Sequence, residues 1–584
     1  MPFYPTIPEI AATAEITNTF MGYNHNLKIN SGEFFEMENM TGDYYPLLSP
    51  RGKRGIYASP TAANGLIAKD ALCYVDGADF VINGLHVQMQ LSTAAADNPK
   101  QLVSMGTYVI IMPDKKYINT KDLTDFGNIE ASFTTAQDED VSFTLTRIDG
   151  ADYSNPIVSP TAPVNPSNMD YWIDTSSTPH QLKQWSEVSG MWVSVTTTYV
   201  KISSPGIGSE FSQYDGVRIS GVTVSSITDL NGSFTIWAKT DEYIVIDGLI
   251  EVVSEQQTPV TVERLMPNMD FVIENENRLW GCRYGVAENG EVVNEIYASK
   301  LGDFKNWNSF MGISTDSYAV SCGTDGVFTG AISHLGYPLF FKENYLHKVY
   351  GSYPAQYQVK TTPCRGVQAG SGRSLAIVNE ILYYKGINGV CAYDGSLPNE
   401  ISTAFGGVKY FDAVGGSNNN KYYISMRDEA NAYHLFVFDT KHGFWHREDN
   451  TNAKAFCSCD GELYYIDNAD GKIRTELGSG TRESGNVHWM VQTGVLGLSA
   501  FGKKYISRVI MRLSLTIGAK VSLQIRYNSV GDWEHVFTMT GKTLQSFSIP
   551  IFVRRCDHFQ LRIIGDGEAK IYSLVKNIEA GSDL

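Results

Sequence analysis

Short apolar runs separated by polar turns recur along nearly the whole chain, and long Leu/Ala/Glu/Lys runs at helical spacing are nearly absent. Ala71–Gly84 reads as a hairpin around Asp76-Gly77, a pair that supplies the positive φ a two-residue turn needs. Tyr108–Asp114 is a further strand, stopped by Pro113. The same unit returns at Arg278–Cys282 with Glu295–Ser299, and at Leu339–Gly351. It appears again at Ile381–Lys385 with Val390–Gly395, and at Tyr422–Ser425 with Leu435–Asp439, while Glu462–Asp467 begins another. Nearer the end, Tyr505–Leu515, Val521–Tyr527 and Phe559–Ile564 alternate apolar and polar residues, the period of sheets with one buried face. The fold class expected is all-β.

Three strand ends run through a turn to a tryptophan: Ala298-Ser299 to Trp307, Phe438-Asp439 to Trp445, and Leu182-Lys183 to Trp192. This resembles the blade edge of kelch-like propellers, and a spacing of roughly 40–50 residues suits one four-stranded blade each. A generic β-sandwich with many hairpins is the alternative. The expected order is an extended N-terminal arm (1–64), the first part of a β-propeller (65–135), an inserted small β-domain (136–265), the rest of the propeller (266–475) and a C-terminal β-sandwich (476–584). The arm carries Pro46, Pro50 and Pro60 beside the aromatic and cationic stretch Tyr44–Arg54; prolines at such spacing favour extended chain. The insertion opens on Pro156, Pro160, Pro163 and Pro166 and continues through Asp170–Asp174, Gln181–Trp185, Gly190–Val193 and Tyr243–Asp247. Residues 476–484 read as a linker by composition.

Composition sharpens this picture. The chain is 584 residues long, 43% hydrophobic and 19% charged, which suits sizeable cores and argues against wholesale disorder. A net charge of −17 argues against a surface built to grip phosphates. No apolar run approaches the ~20 residues needed to span a bilayer, so no stable membrane insertion is expected. Met1–Pro5 lacks the basic and apolar regions of a secretory signal, which points to the cytoplasm unless an assembly carries the protein elsewhere. The eight cysteines are scattered without a CxxC pair and read as buried free thiols in a reducing compartment.

Recognised catalytic signatures fail one by one. The nearest approach to a sialidase Asp-box, Thr228–Ser233 ending at Trp237, lacks the spacing, and neither a Gly-x-Ser-x-Gly elbow nor a Walker-type loop is found. Sixty-three acidic residues make any carboxylate pair uninformative. His442 and His446 flank the turn Gly443-Phe444-Trp445, and Asp467–Gly471 reads as a tight turn rather than a calcium loop. The expectation is a chain without catalytic function, cofactor or metal. Trp172, Trp185 and Trp192 are candidates for stacking on sugar rings, with a core role the favoured account. Arg508, Arg512, Arg526 and Arg562 concentrate cations on the polar face of the sandwich, either solvated or docked on an acidic neighbour.

Asn39–Arg51, with Met105–Tyr117, resembles phage proteins labelled "stabilisation protein". Asn277–Gly281 followed by Ala298–Trp307, and Gly386–Gly395, resemble the blades of tail nozzle proteins of short-tailed phages; the likeness covers most of the chain outside 136–265. The resemblance implies a hexameric ring in the virion tail, assembled in the host bacterial cytoplasm. It would sit below portal and adaptor, anchor tail fibres, and conduct DNA through its lumen without specific binding. Carboxylates lining that lumen would repel the duplex. Contact with a neighbour is expected at Tyr44, Tyr45, Arg51, Lys53 and Arg54, and at Arg508, Arg512 and Arg526. A receptor- or glycan-binding tail protein is the alternative, and a propeller hydrolase the third.

Overall fold

The computed structural model describes residues 12–93, 100–224, 228–287, 290–498, 502–541 and 543–580; Met1–Pro5, read above for targeting, lies outside them. Among the described residues, seven small sheets, antiparallel but for one short parallel pair at the edge of the sixth, form the blades of a propeller. Blade one comprises Ala63–Lys69, Ala71–Asp76, Asp79–Ile82 and Leu85–Gln88; blade two comprises Gln101–Met105, Tyr108–Met112, Lys116–Asn119 and Phe126–Asn128. Blade three runs from Phe271–Asn275 to Tyr318–Ser321, blade four from Gly330–His334 to Gln358–Pro363, and blade five from Ala376–Val378 to Asn399–Glu400. Blade six begins with Tyr410–Asn418 and includes Phe444–Arg447; blade seven begins with Ala453–Cys459, Glu462–Asp467 and Ile473–Thr475. Asp76 pairs directly with Asp79, so Gly77 (φ 60°) sits in the two-residue turn as its sequence indicates.

Each blade is sandwiched between its neighbours. Val75 and Phe80 of blade one meet Val109 and Ile111 of blade two, and Leu339 and Phe341 of blade four meet Leu382 and Tyr384 of blade five. Ile466 and Ile473 of blade seven share a core with Leu72 and Tyr74 of blade one, where Ala453–Cys459 lies against Ala63–Lys69. The apolar interior therefore lies between sheets all along the series. Each inter-blade layer is held by burial of large aliphatic and aromatic side chains, about 1.5–3 kcal/mol apiece.

Between blades two and three the chain leaves through Ala131–Thr134 and returns through Thr261–Arg264, building three further sheets around Phe143, Ile202, Ile219 and Ile246. After the propeller, two sheets stack on Trp489, Val509, Leu523 and Ile563. One contains Lys504–Leu515 and Ala569–Ala580, the other His488–Gln492, Lys520–Tyr527 and Phe559–Asp566. Gly565 is indispensable here, because a Cβ would stand 2.0 Å from the Trp489 ring.

Three expectations are corrected. The extended N-terminal segment, expected to contact a neighbour, pairs with its own chain: Ala12–Thr17 and Glu36–Glu38 each add an edge strand to one sheet of the sandwich, Gly22–Tyr23 joins blade six, and Gly55–Ala58 extends blade seven beyond Ile473–Thr475. Extended chain has unpaired N–H and C=O groups, and sheet edges supply their partners. Residues 476–484 do not behave as a linker. Thr481–Arg482 pairs with Gly55–Ala58, and Ser479 is bound by Glu462. Of the three tryptophans, only Trp445 lies on the fourth strand of a blade's meander; Trp307 follows a strand and packs between blades two and three, and Trp192 belongs to the insertion.

Candidate binding surfaces

Arg54 sits in the joint between propeller and sandwich, 2% exposed. Its Nη1 donates to Asp449 (2.6 Å) and to Thr451 Oγ1 (3.0 Å), its Nε lies 2.7 Å from Glu476, and its Nη2 meets Glu448. Arg51 donates to Asn39 Oδ1 (2.7 Å) and Glu483 (3.1 Å). Two guanidiniums thus face four carboxylates. Burial, reinforced by Glu448 beside it, pushes the Glu476 carboxyl well above its usual range against the attraction of Arg54. Beside this cluster opens a cavity of about 470 Å³ lined by Asp43, Tyr44, Lys421, Glu476, Glu568 and Lys570. Arg51 and Arg54, expected at a subunit contact, are therefore spent inside the chain. Lys53 is exposed, the Lys570 ammonium stands 3.8 Å over the half-exposed Tyr44 ring, and Tyr45 lies tilted against His442 with ring centroids 4.4 Å apart.

A second cavity, of about 420 Å³, lies among the first strands of blades two to four and is lined by Gln101, Asp270, Phe271, Phe328 and Arg373. Asp270 accepts from Arg283 (3.3 Å) and from the Tyr284 amide (2.8 Å), and Asp412, beside Gly370 at the same rim, is paired with Arg427 at 2.7 Å. Arg373 donates to the Lys454 carbonyl at 2.5 Å.

In the insertion, Ile157–Ser159, Tyr171–Asp174, Gln181–Ser186 and Met191–Ser194 form a four-stranded sheet. Tyr171, Ile173 and Leu182 point into the domain core, so the alternate positions Trp172, Lys183, Trp185 and Trp192 share the opposite face. The core account fits Trp172, 5% exposed, whereas Trp185 and Trp192 are only partly buried on that face. Trp192 meets both Trp172 and Trp185 edge-on at 5.5 Å. Trp172 itself is buried under Lys183, whose Nζ is 4.9 Å from its ring, whereas Trp185 and Trp192 remain half-exposed. Asp174, Gln181 and Ser194 line the same face, with Asp174 held by Lys183 at 2.7 Å.

The four arginines of the sandwich do not form one patch. Arg508 and Arg512 project from the sheet of Lys504–Leu515, and Arg526 and Arg562 from the opposite sheet, because the two outer faces look away from each other. Arg526 and Arg562 lie on Trp533, 4.7 and 4.1 Å from its centroid, and are bonded to Gln560 and Gln492. Sequence reading missed Trp533, since only the turn before Glu534–Thr540 carries it over this face.

No protein-family model and no curated protein matches the chain. Similar solved structures include an exo-β-1,3-galactanase from Phanerochaete chrysosporium bound to galactose (9% identity, covering 52% of this chain and 94% of that chain, TM-score 0.22). PorZ, a surface component of the type-IX secretion system of Porphyromonas gingivalis, is another (10%, 88% and 82%, TM-score 0.26). A GH43 glycoside hydrolase with xylanase and arabinofuranosidase activity is a third (10%, 53% and 96%, TM-score 0.20). The expectation of a chain without catalytic function is corrected at this point: glycoside hydrolases stand among the similar structures, so a non-enzyme assignment is withdrawn. At these scores the likenesses carry no argument for an activity either, and the fold described above rests on strand order alone.

Proposed function

We propose that this chain is a component of a bacteriophage tail of the nozzle kind, assembling into a ring around a channel for DNA. The observation that carries the reading is the position of the phage-like stretch Asn39–Arg51. Lys421 of blade six donates to Thr41, Leu48 bridges to Ile571 of the sandwich, and Arg51 donates to Glu483 beside the Arg54 cluster, so the stretch ties these parts into one support. Acidity of the whole chain, −17, suits a wall past which duplex phosphates slide. Negative-stain micrographs of the purified protein, and antibody labelling of phage particles, test this. Rings with a central channel and label on the tail are expected; an unlabelled particle sinks the tail assignment, and a channel lined by Lys and Arg sinks the sliding-wall account.

A second reading, contact with glycan, is favoured by the outward aromatic face of the insertion. Half-exposed Trp185 and Trp192, with Gln181, Ser194 and the Asp174–Lys183 pair beside them, offer an apolar ring surface next to hydrogen-bonding groups. Binding on a glycan array that disappears in Trp185→Ala or Trp192→Ala, at unchanged melting temperature, is the expected result; unchanged binding removes the reading. Release of sugar from the bound oligosaccharides, followed in the same assay, reports any hydrolysis.

A further inference from the structure

The outward face of the four-stranded sheet in the insertion divides into an aromatic end and a polar end. Trp185 lies opposite Trp192, and one step further along the same strands Lys183 lies opposite Ser194, with Gln181 beyond it opposite Asp174. Same-face residues on one strand stand about 7 Å apart, so the polar strip begins about one sugar ring from the indoles.

Charge narrows what this face can take. Asp170, whose carbonyl accepts the Trp185 amide at 2.9 Å, and Glu187, the residue after Gln181–Ser186, place two exposed carboxylates at the aromatic end. The one cation of the strip, Lys183, is already paired with Asp174 at 2.7 Å. A negatively charged sugar is therefore repelled at one end and finds no uncommitted cation at the other.

Hydrogen-bonding capacity narrows it further. Asp174 Oδ1 accepts the Ser176 amide (2.9 Å) and hydroxyl (2.6 Å), while Oδ2 accepts from Lys183. Gln181 Oε1 accepts the Ser194 hydroxyl at 3.2 Å. What the strip has to spare is donors. The Gln181 amide nitrogen has no acceptor among the described residues, and an ammonium carries three N–H groups, of which Lys183 gives one to Asp174. Such a strip calls for acceptor oxygens and offers little to a protonated amino sugar, whose ammonium can only donate.

We propose that this face binds a neutral glycan carrying acetamido groups, an inference that rests on the glycan reading above and names the class of sugar. A pyranose ring stacks on Trp185, the acetamido methyl rests on Trp192, and the acetamido carbonyl accepts from the Lys183–Gln181 strip.

Calorimetric titration of the full chain with matched tetramers tests it: N-acetylglucosamine against glucose, and N-acetylgalactosamine against galactose. In at least one pair the acetamido member should bind at least ~10-fold tighter. Burying the methyl contributes roughly fourfold and one hydrogen bond about fivefold. Tetramers of glucosamine and of galacturonate should bind no better than the neutral hexoses. Lys183→Met keeps the aliphatic stem over Trp172 and removes the donors; Gln181→Ala, at an exposed position, serves if the first variant melts early. Each should lower acetamido affinity about fivefold and leave hexose affinity within about twofold. A preference unchanged in both variants overturns the proposal. Equal binding within both pairs, tighter binding of glucosamine or galacturonate, or array binding confined to glycans without acetamido groups overturns the class of sugar. If that binding is still lost in Trp185→Ala, the glycan reading stands. Absence of binding to every tetramer and to the array removes both.

Discussion

His446 shows how far a single side chain can depart from its behaviour in water. It is buried beneath Gly42 and beside Phe444, its Nδ1 has no hydrogen-bond partner, and Lys421 adds an unfavourable charge. Burial first, then Lys421, depresses its pKa from 6.5 to about 3. The folded state keeps the ring neutral while the unfolded chain binds a proton below its ordinary pKa. The contribution to stability is thus complete above pH 6.5 and is lost as the pH falls from 6.5 towards about 3. The slope is roughly 1.4 kcal/mol per pH unit. Urea unfolding of the native chain should lose about 2 kcal/mol more than His446→Gln between pH 6.5 and 5. Equal slopes for the two proteins would refute the assignment. Sequence showed only a turn flanked by two histidines; which of them is buried depends on Thr41–Asp43 crossing blade six, a contact nearly 400 positions away in the chain.

At the scale of elements, Gly55–Ala58 decides the most. Blade seven has three consecutive strands of its own, and its next strand comes from the other end of the chain. Arg54, the residue immediately before that strand, binds Glu448, Asp449 and Glu476 at once. Arg54→Ala leaves Glu448 and Glu476 buried without an ion-pair partner, while Asp449 keeps Arg51 at 3.6 Å, and should cost about 3–5 kcal/mol of unfolding free energy. Chemical denaturation checks this, and a loss below about 1 kcal/mol would show that the cluster contributes nothing beyond an exposed pair. Because Gly55–Ala58 completes blade seven, removing the residues before 60 should destabilise the propeller itself. Proline content does show that this stretch is extended. Whether an extended stretch lies on a neighbour or completes its own sheet depends on which unpaired edge is nearest in space.

Across the whole molecule, acidity and exposed apolar groups set the possibilities for assembly. Sixty-three Asp and Glu against 46 Lys and Arg repel a polyanion on average, yet the cations that remain uncommitted on the sandwich are gathered on its two outer faces. A uniformly acidic exterior would keep copies apart. The ring and labelling experiments act at this scale, since neither outcome can be read from one blade or one residue.

Much of the β architecture was legible along the chain because it depends on nearest neighbours. Alternation in Val521–Tyr527 marks a half-buried strand, Asp76-Gly77 marks a turn, and the break in rhythm after residue 135 marks the insertion, each from steric and solvation preferences a few residues wide. Number and membership of blades were not legible, since seven sheets arise from packing between Leu339 and Tyr384, or Ile473 and Leu72, pairs whose separation in sequence carries no signal. Which face a strand turns to its core was half legible. Period-two alternation groups Trp172, Trp185 and Trp192 together, but only the packing of Tyr171 and Ile173 inward assigns the tryptophans to the outside. Charge behaved likewise: composition determines that the chain is acidic, whereas the burial of Arg54 and the exposure around Arg526 follow from distant segments meeting in three dimensions, where desolvation and pairing are decided.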